Sequence, residues 1–312
     1  MKLIECRHAL VTGGAGFIGS GLVRELLNRN LAVTVLDNLT TGERGAVDRR
    51  ARFVEGDVRS ESDVRNALAD VDCVCHLAAR VSVRDSFAHF VEDVDTNLMG
   101  TCNLLRCLPP DIIKRFVLAS TMAVYADASG PDPISEYHTL RPISPYGVGK
   151  LSAELICSQV LSQKAIPFTA LRYFNTYGPG QRFTPYVGVI TIFVTRLLKG
   201  EAPQVFGDGA QQRDFVHVDD IVAGTIAALS GPPGVYNLGT GRNTSVLELA
   251  ELLVERINPS VGISFAPAEA GELRNSVADI SAAKRYLGYH PQRSLRRDIE
   301  SVIDYIKHSP GT

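Results

Sequence analysis

No apolar run in this 312-residue chain approaches the roughly 20 residues that a membrane-spanning helix needs. Neither sign of charge is in excess: 32 basic and 34 acidic side chains give a net charge of −2 and a pI of about 6.4. That balance argues against nucleic acid or an anionic membrane surface as a partner. The six cysteines (Cys6, Cys73, Cys75, Cys102, Cys107 and Cys157) form no CxxC pair, and several sit in apolar runs. They read as reduced, buried thiols of a cytoplasmic protein. The seven histidines show no ligand spacing, so no metal is expected. The first residues, MKLIECRHALVTGG, lack the charged, apolar and cleavage regions of a signal peptide. No internal repeat or low-complexity tract interrupts the chain. At 45% hydrophobic and 21% charged residues, it is an ordinary globular composition, long enough for one large domain and a smaller lobe.

What is present is an alternation. His8–Thr12 reads as a short strand, followed by a turn with Gly13, Gly16 and Gly19 and then by the helical pattern SGLVRELLNRN. Strand, glycine turn and helix together suit a pyrophosphate held at a helix N-terminus, although the spacing is GxxGxxG, not GxGxxG. A second strand ends at Asp37, 18 residues after Gly19, where a carboxylate can take ribose hydroxyls and repel a 2′-phosphate. NAD is therefore expected over NADP. Strands are expected at 52–55, 72–77, 116–120 and 167–174, and helices at 60–70, 87–108 and 146–164. Such alternation predicts an α/β fold with a doubly wound parallel sheet. A Gly- and Pro-rich loop, 175–188, separates it from a less regular C-terminal α/β lobe. We expect a dinucleotide-binding domain over 1–174, a lobe over 175–312, and a partial return of 214–243 to the first domain.

The chemistry centres on 117–150. Tyr146 and Lys150 stand four apart on an expected helix and so share a face. A free tyrosine titrates near pH 10. A neighbouring ammonium favours the phenolate, and lowering the pKa by about three units takes roughly 4 kcal/mol. Ser120 and Thr121 end the strand RFVLAS, where a hydroxyl can hold a substrate oxygen against the tyrosine. The pair alone is common on helices. Its weight comes from the rest of the chain.

The motifs TGGAGFIG (12–19), GDV (56–58), HLAA (76–79), ASTMAVY (119–125), SPYGVGK (144–150), LRYFNTYGPGQR (171–182), FGDGAQQRDFVHVDD (206–220) and YNLGTG (236–241) occur in one order. With GELRNSVADISAAKRYLGYHP (271–291), the chain resembles the extended short-chain dehydrogenase/reductase family over essentially its whole length. Within that family it is similar to the sugar-nucleotide epimerases and dehydratases, above all the UDP-glucose and UDP-glucuronate 4-epimerases.

The resemblance implies a Rossmann domain and an NAD site of Gly13, Gly16, Phe17, Ile18, Gly19, Asp37, Asn38, Gly42, Asp57, Val58, Leu77, Ala78, Ala79, Tyr146, Lys150 and Tyr173. It implies Thr121, Tyr146 and Lys150 as the catalytic set. It places the UDP-sugar against Arg84, Thr121, Asn175, Arg182, Val189, Gln204, Phe206, Arg213, Arg274 and Ser276, with Asn175 and Arg213 on the diphosphate and Phe206 beside the uracil. It also implies a homodimer through the helices of 87–108 and 146–164. Met122 and Ala123 stand where related dehydratases carry an acidic pair and decarboxylases a glutamate. Glu269 replaces an arginine of many 4-epimerases, and Ser276 is small enough to admit a bulkier sugar. Arg84 and Arg182 resemble arginines of the UDP-glucuronate enzymes. The expected activity is 4-epimerisation of a UDP-sugar, the uronates slightly ahead of the neutral hexoses. The alternatives are a UDP-N-acetylhexosamine epimerase, a dehydratase or decarboxylase, or a non-catalytic NAD-binding regulator.

Overall fold

In the computed structural model, the described residues are 6–109, 111–128, 130, 132–181, 188–268 and 274–309. The chain opens with β1 (His8–Thr12), α1 (Phe17–Asn28), β2 (Ala32–Asp37), β3 (Arg52–Glu55), α2 (Glu61–Ala67) and β4 (Cys73–His76). Ser60 starts α2 by accepting the Asp63 N–H, as an N-cap serine does. Next come α3 (Asp85–Ala88), α4 (Phe90–Val94) and α5 (Gly100–Cys107), then β5 (Arg115–Thr121), α6 (Pro145–Gln163), β6 (Phe168–Tyr173) and β7 (Asn175–Tyr177).

The single helix expected over 87–108 is thus broken. It bends at His89 (φ −125°, ψ 42°), and a π-helical turn spans Asp95–Met99 between α4 and α5. The wide turn is fixed from outside. The Asn97 side chain accepts the Arg80 N–H at 2.8 Å and donates to the Arg80 carbonyl at 3.0 Å. Such bulges often mark functional sites.

The remaining elements are α7 (Val189–Leu198), β8 (Gln204–Phe206), β9 (Gln212–Arg213), β10 (Phe215–His217), α8 (Val218–Ala228), β11 (Gly234–Leu238), β12 (Thr244–Ser245), α9 (Val246–Ile257), β13 (Ser264–Ala266), β14 (Asn275–Ser276) and α10 (Leu295–Lys307).

Seven strands form one parallel sheet in the order β11-β6-β5-β4-β1-β2-β3. Both faces are covered, so the strands are apolar on both sides, as parallel strands are. Leu10, Val74, Phe116 and Leu118 pack toward α2, α5 and α6, while Ala9, Val11, Cys75 and Val117 pack toward α1 and α8. The seventh strand, β11, comes from the segment GVYNLG and pairs with β6 in register Gly234↔Thr169. A third core lies among α7, α9 and α10, beside three small sheets: β10-β7, β13-β8 and β12-β9-β14. No described helix is long and apolar enough to cross a membrane.

Candidate active site

The order of the sheet reverses between β1 and β4, which opens a crevice at their carboxyl ends, where such folds bind ligands. A cavity of 1740 Å³ runs along it, lined by Gly13, Gly16–Gly19, Asp37, Asn38, Val58, Leu77–Ala79, Thr121, Tyr146, Lys150 and Tyr173 among others. Gly42 and Asp57, expected in the same set, stand behind this wall. Gly42 abuts Ala15. Asp57 pairs with Arg59 at 2.8 Å and accepts from Asn38 Nδ2 at 2.8 Å, and the hydrogen bonds from Arg59 hold its carboxyl well below the usual carboxylate range.

Gly13 is left-handed (φ +71°), and a Cβ there would stand 2.7 Å from the Ala78 nitrogen. Only glycine lets the first turn pass so close to the end of β4. α1 begins at Gly16 with no side-chain cap and no acidic residue in its first turn. Its free N–H groups and positive dipole end therefore face the crevice. Asp37 closes the loop: its Oδ2 accepts the Ala15 N–H and its Oδ1 the Leu39 N–H, both at 2.9 Å. The carboxylate so held keeps lone pairs for two further donors.

On the other side of the switch point, Thr121 ends β5 and Tyr146 lies in the first turn of α6. Ser144 caps that helix by accepting the Gly147 N–H at 3.1 Å, with Pro145 as its first residue. Gly147 lies against the Ala123 carbonyl so closely that any Cβ would collide with it. The helix start is thereby pressed onto the turn that follows Thr121, which brings the Thr121 hydroxyl close enough to the Tyr146 phenol to pull its pKa down. Lys150, one turn on, is 3% exposed, and Tyr146 is 8% exposed.

The electrostatics differ from the sequence expectation. Burial pushes the Tyr146 phenol up to about 12, the Thr121 hydrogen bond pulls it back only in part, and Asp93 adds to the rise. Burial also pulls Lys150 down to about 8, against the opposing pull of Cys157, Glu154 and Asp93. In this protein, desolvation of the phenol is the largest influence on it.

Comparison with known proteins gives the same reading. Residues 9–239 match the model of the NAD dependent epimerase/dehydratase family. The chain belongs to this family. The UDP-glucose 4-epimerase of Thermotoga maritima, solved with UDP-glucose, is 36% identical with a TM-score of 0.92, covering 96% of this chain and 98% of that one. The UDP-glucuronic acid 4-epimerase of Bacillus cereus, solved with UDP-glucuronic acid and NAD, is 35% identical with a TM-score of 0.89, covering 96% and 99%. The UDP-glucose 4-epimerase of Lactobacillus helveticus is 34% identical over 93% of this chain and 94% of its own.

The family's cofactor is NAD, and the crevice fits it. The uncapped α1 terminus suits a pyrophosphate, Asp37 suits an adenosine ribose, and Lys150 and Tyr146, which line the same cavity, could hold the nicotinamide ribose.

The expected substrate residues are less gathered. Among the described residues of that set, Thr121 alone lines the large cavity. Arg213 (β9) and Ser276 (β14) are register partners, with Arg274 just before β14. Arg274 makes two 2.9 Å bonds to Asp208. Phe206 ends β8, and the Arg84 guanidinium lies 5.6 Å over its ring, so Arg84 sits at the Phe206 end of the site. Gln204 starts β8 and Val189 starts α7. Ser276 is fully buried, and its Oγ accepts from Asn175 Nδ2 at 3.4 Å. Its hydroxyl thus packs against Asn175 behind the cavity wall. Arg182 and Glu269 lie outside the described residues.

Several site-building residues carry no sequence signal of their own. Glu154, two turns beyond Tyr146, pairs with Arg172 of β6 (Nη2–Oε2 2.7 Å, Nε–Oε1 3.1 Å) and accepts from Ser120. Arg172 also donates to Tyr125, which donates to Asn237 of β11 at 2.6 Å. Buried Asp214, next to Arg213, accepts from the N–H groups of Thr240, Gly241 and Ala278. The spacing of the sequence offered no metal set, yet folding brings Cys6, Asp72 and Cys73 within 4.8 Å. The Asp72 carboxylate there is already taken by Arg7 and His8 N–H groups and by Lys114 at 3.0 Å.

Proposed function

We propose that this protein is an NAD-dependent UDP-sugar 4-epimerase, with Tyr146 as the base at the sugar O4. The observation that carries the reading is the convergence of Thr121, Tyr146 and Lys150 on the cofactor crevice, while the turn after Thr121 supplies only Met122 and Ala123. Neither residue can protonate a leaving hydroxyl or serve a decarboxylation, which weighs against those two outcomes. A kept catalytic set weighs against a non-catalytic regulator. Tyr146 takes the O4 proton and later returns it. Thr121 donates a hydrogen bond that holds the oxygen in place. Lys150 supplies positive charge beside both. The chemistry that NAD would supply when bound is reversible hydride acceptance at C4 with no net consumption, and Lys150 and Tyr146 would hold its ribose for it. The sugar must turn over between the two steps while its diphosphate stays held, a role we assign to Asn175 and Arg213.

Among sugars we put the UDP-glucuronate/UDP-galacturonate pair slightly ahead of the neutral hexoses. Gln181 lines the cavity, and Arg182 follows it directly. The Arg182 guanidinium is our candidate to grip a C5 carboxylate in a bidentate way, an advantage of about 1.5–3 kcal/mol, or roughly 10–150-fold. The place of Arg84 over Phe206 favours the second reading, a neutral hexose, because it takes one arginine away from the sugar. Ser276, spent on Asn175, weighs against an N-acetyl sugar. The test is turnover of UDP-glucuronate, UDP-glucose and UDP-N-acetylglucosamine by wild type and Arg182→Leu, with no added reductant. Preference for a neutral sugar, or unchanged uronate turnover in the variant, removes the carboxylate role and leaves the epimerase.

The same reading makes the protein a cytoplasmic homodimer. All six cysteines are free. Exposed Phe90, Val91, Met99, Val148 and Leu155 lie on the packed unit of α4, the π turn and α6, an apolar face suited to a second copy. Light scattering at the monomer mass would refute the dimer.

A further inference from the structure

Asp93 is 2% exposed in α4, on the wall of the same cavity as Tyr146 and Lys150. Its Oδ1 accepts from Asn97 Nδ2 at 2.6 Å, and Asn97 is the residue whose side chain sets the π turn through Arg80. α4 and the π turn both pack on α6, the helix of the catalytic pair. A buried carboxylate is an expensive group to keep. A side chain needed only to accept from Asn97 could be an amide.

We propose that Asp93 is a positioning residue for the reaction, whose buried negative charge holds Lys150 as an ammonium and sets the pH range in which the Tyr146–Lys150 pair works.

The charges around it support this. Burial pushes Asp93 up to about 6. Arg80 and Lys150 pull it down, and Asp85 pushes it further up. Arg80 is itself committed to Asp85 at 2.9 Å, and His89 lies 3.6 Å from the same Asp85 carboxylate. Asp93 in turn raises both Lys150 and Tyr146 on α6. Glu154 also raises Lys150, but both of its oxygens are bonded to Arg172. Near neutral pH, Asp93 is thus the carboxylate beside Lys150 that no guanidinium neutralises by direct hydrogen bonds among the described residues.

The sign of the effect follows. Removing the Asp93 charge lowers the pKa of Lys150, because its ammonium loses a counter-charge. It also lowers the pKa of Tyr146, because its phenolate loses a repelling neighbour. Both limbs of the pH–rate curve then move to lower pH together. A purely structural role, served by the Asn97 hydrogen bond, would leave the limbs in place. Asp93→Asn keeps the shape and an acceptor for Asn97, so it separates the two. Burial disfavours the charge in the folded state, so this variant should fold at least as well as wild type at pH 8.

The proposal rests on Tyr146 as the base. The experiment is kcat against pH, from 5.5 to 12, with UDP-glucose and with UDP-glucuronate on the NAD-loaded enzyme, for wild type, Asp93→Asn and Tyr146→Phe. A second readout is the phenolate absorbance near 295 nm, taken as the difference between each protein and its Tyr146→Phe counterpart. We expect both limbs and the phenolate transition to fall by about half a unit to one unit in Asp93→Asn. If Tyr146→Phe is inactive and the Asp93→Asn limbs do not move, the Asp93 role is wrong and the base stands. If Tyr146→Phe keeps turnover, the base and the proposal fall together. Should Asp93→Asn not fold, Asp93→Ser is read by the same limbs, and unmoved limbs there overturn the proposal.

Discussion

The seven-stranded sheet and the lobe beyond it differ in the length of the strands that build them. In the sheet, β1 pairs with β2 in register His8↔Ala32, with one helix between them. In the lobe, the two residues of β9 pair with β14 in register Gln212↔Asn275, and β8 pairs with β13 in register Gln204↔Ser264. A strand–helix–strand unit announces itself by periodicity and by its turn glycines. Strands of two or three residues announce nothing, because they have no period. The difference also divides the work. On the proposed function, proton-handling groups stand on the long regular elements and substrate-recognition groups on or beside the short ones.

The sharpest break in this comparison comes from the base. Tyr146→Phe should keep bound NAD, read by absorbance of the released cofactor, and lose about 10²–10⁴-fold in kcat with every sugar. Thr121→Ala should lose less, since it removes a positioning hydrogen bond and leaves the proton acceptor. Loss confined to one sugar would move Tyr146 from chemistry to recognition.

Next in size is the buried pair behind the site. Arg172→Leu leaves Glu154 charged and unpaired between α6 and β6, both of which are nearly closed to water. Breaking such a pair typically costs about 3–5 kcal/mol. Urea unfolding should show that loss, and unchanged stability would mean the pair only decorates the sheet half.

A third prediction concerns acid. His76 is buried, its Nδ1 accepts from Thr12 and its Nε2 donates toward Thr101, so both ring nitrogens are used in the neutral form. Burial, with the Lys150 charge adding, pulls it down to about 3. Between about 3 and the unfolded value near 6.5, the unfolded chain binds the extra proton. Stability therefore rises with pH through that window and is lost on acidification. His76→Gln should flatten the slope of stability against pH by up to about 1.4 kcal/mol per unit. An identical slope would show that the sheet half does not carry the acid lability.

The smallest effect on stability belongs to the lobe. Arg274 and Asp208 are exposed partners, and surface pairs contribute little. Arg274→Ala should leave the melting temperature unchanged while raising the KM for the UDP-sugar roughly tenfold. A fall in kcat with KM unchanged would place chemistry in the lobe and collapse the distinction.

What was legible in the sequence follows the same division. Gly13, Gly16, Gly19, Asp37, Tyr146 and Lys150 were found from spacing, and the structure puts them along one crevice. Such spacings carry information because strand, turn and helix geometry fixes where each residue points. The helix break around Asn97 was not legible, because it depends on backbone groups of Arg80 seventeen residues away. The burial of Ser276 and the contact of Arg84 with Phe206 were hidden for the same reason: each joins segments far apart in the chain.

The sequence by itself determined the parallel α/β sheet, its glycine turn and the pairing of a tyrosine with a lysine, since local periodicity and turn chemistry decide these. Tertiary structure decided the ionisation of that pair. Whether Tyr146 feels Lys150 or its own desolvation more strongly depends on how completely β5, the π turn and α6 exclude water around it. That exclusion, and the Asp93 carboxylate within it, exist only once the elements are packed.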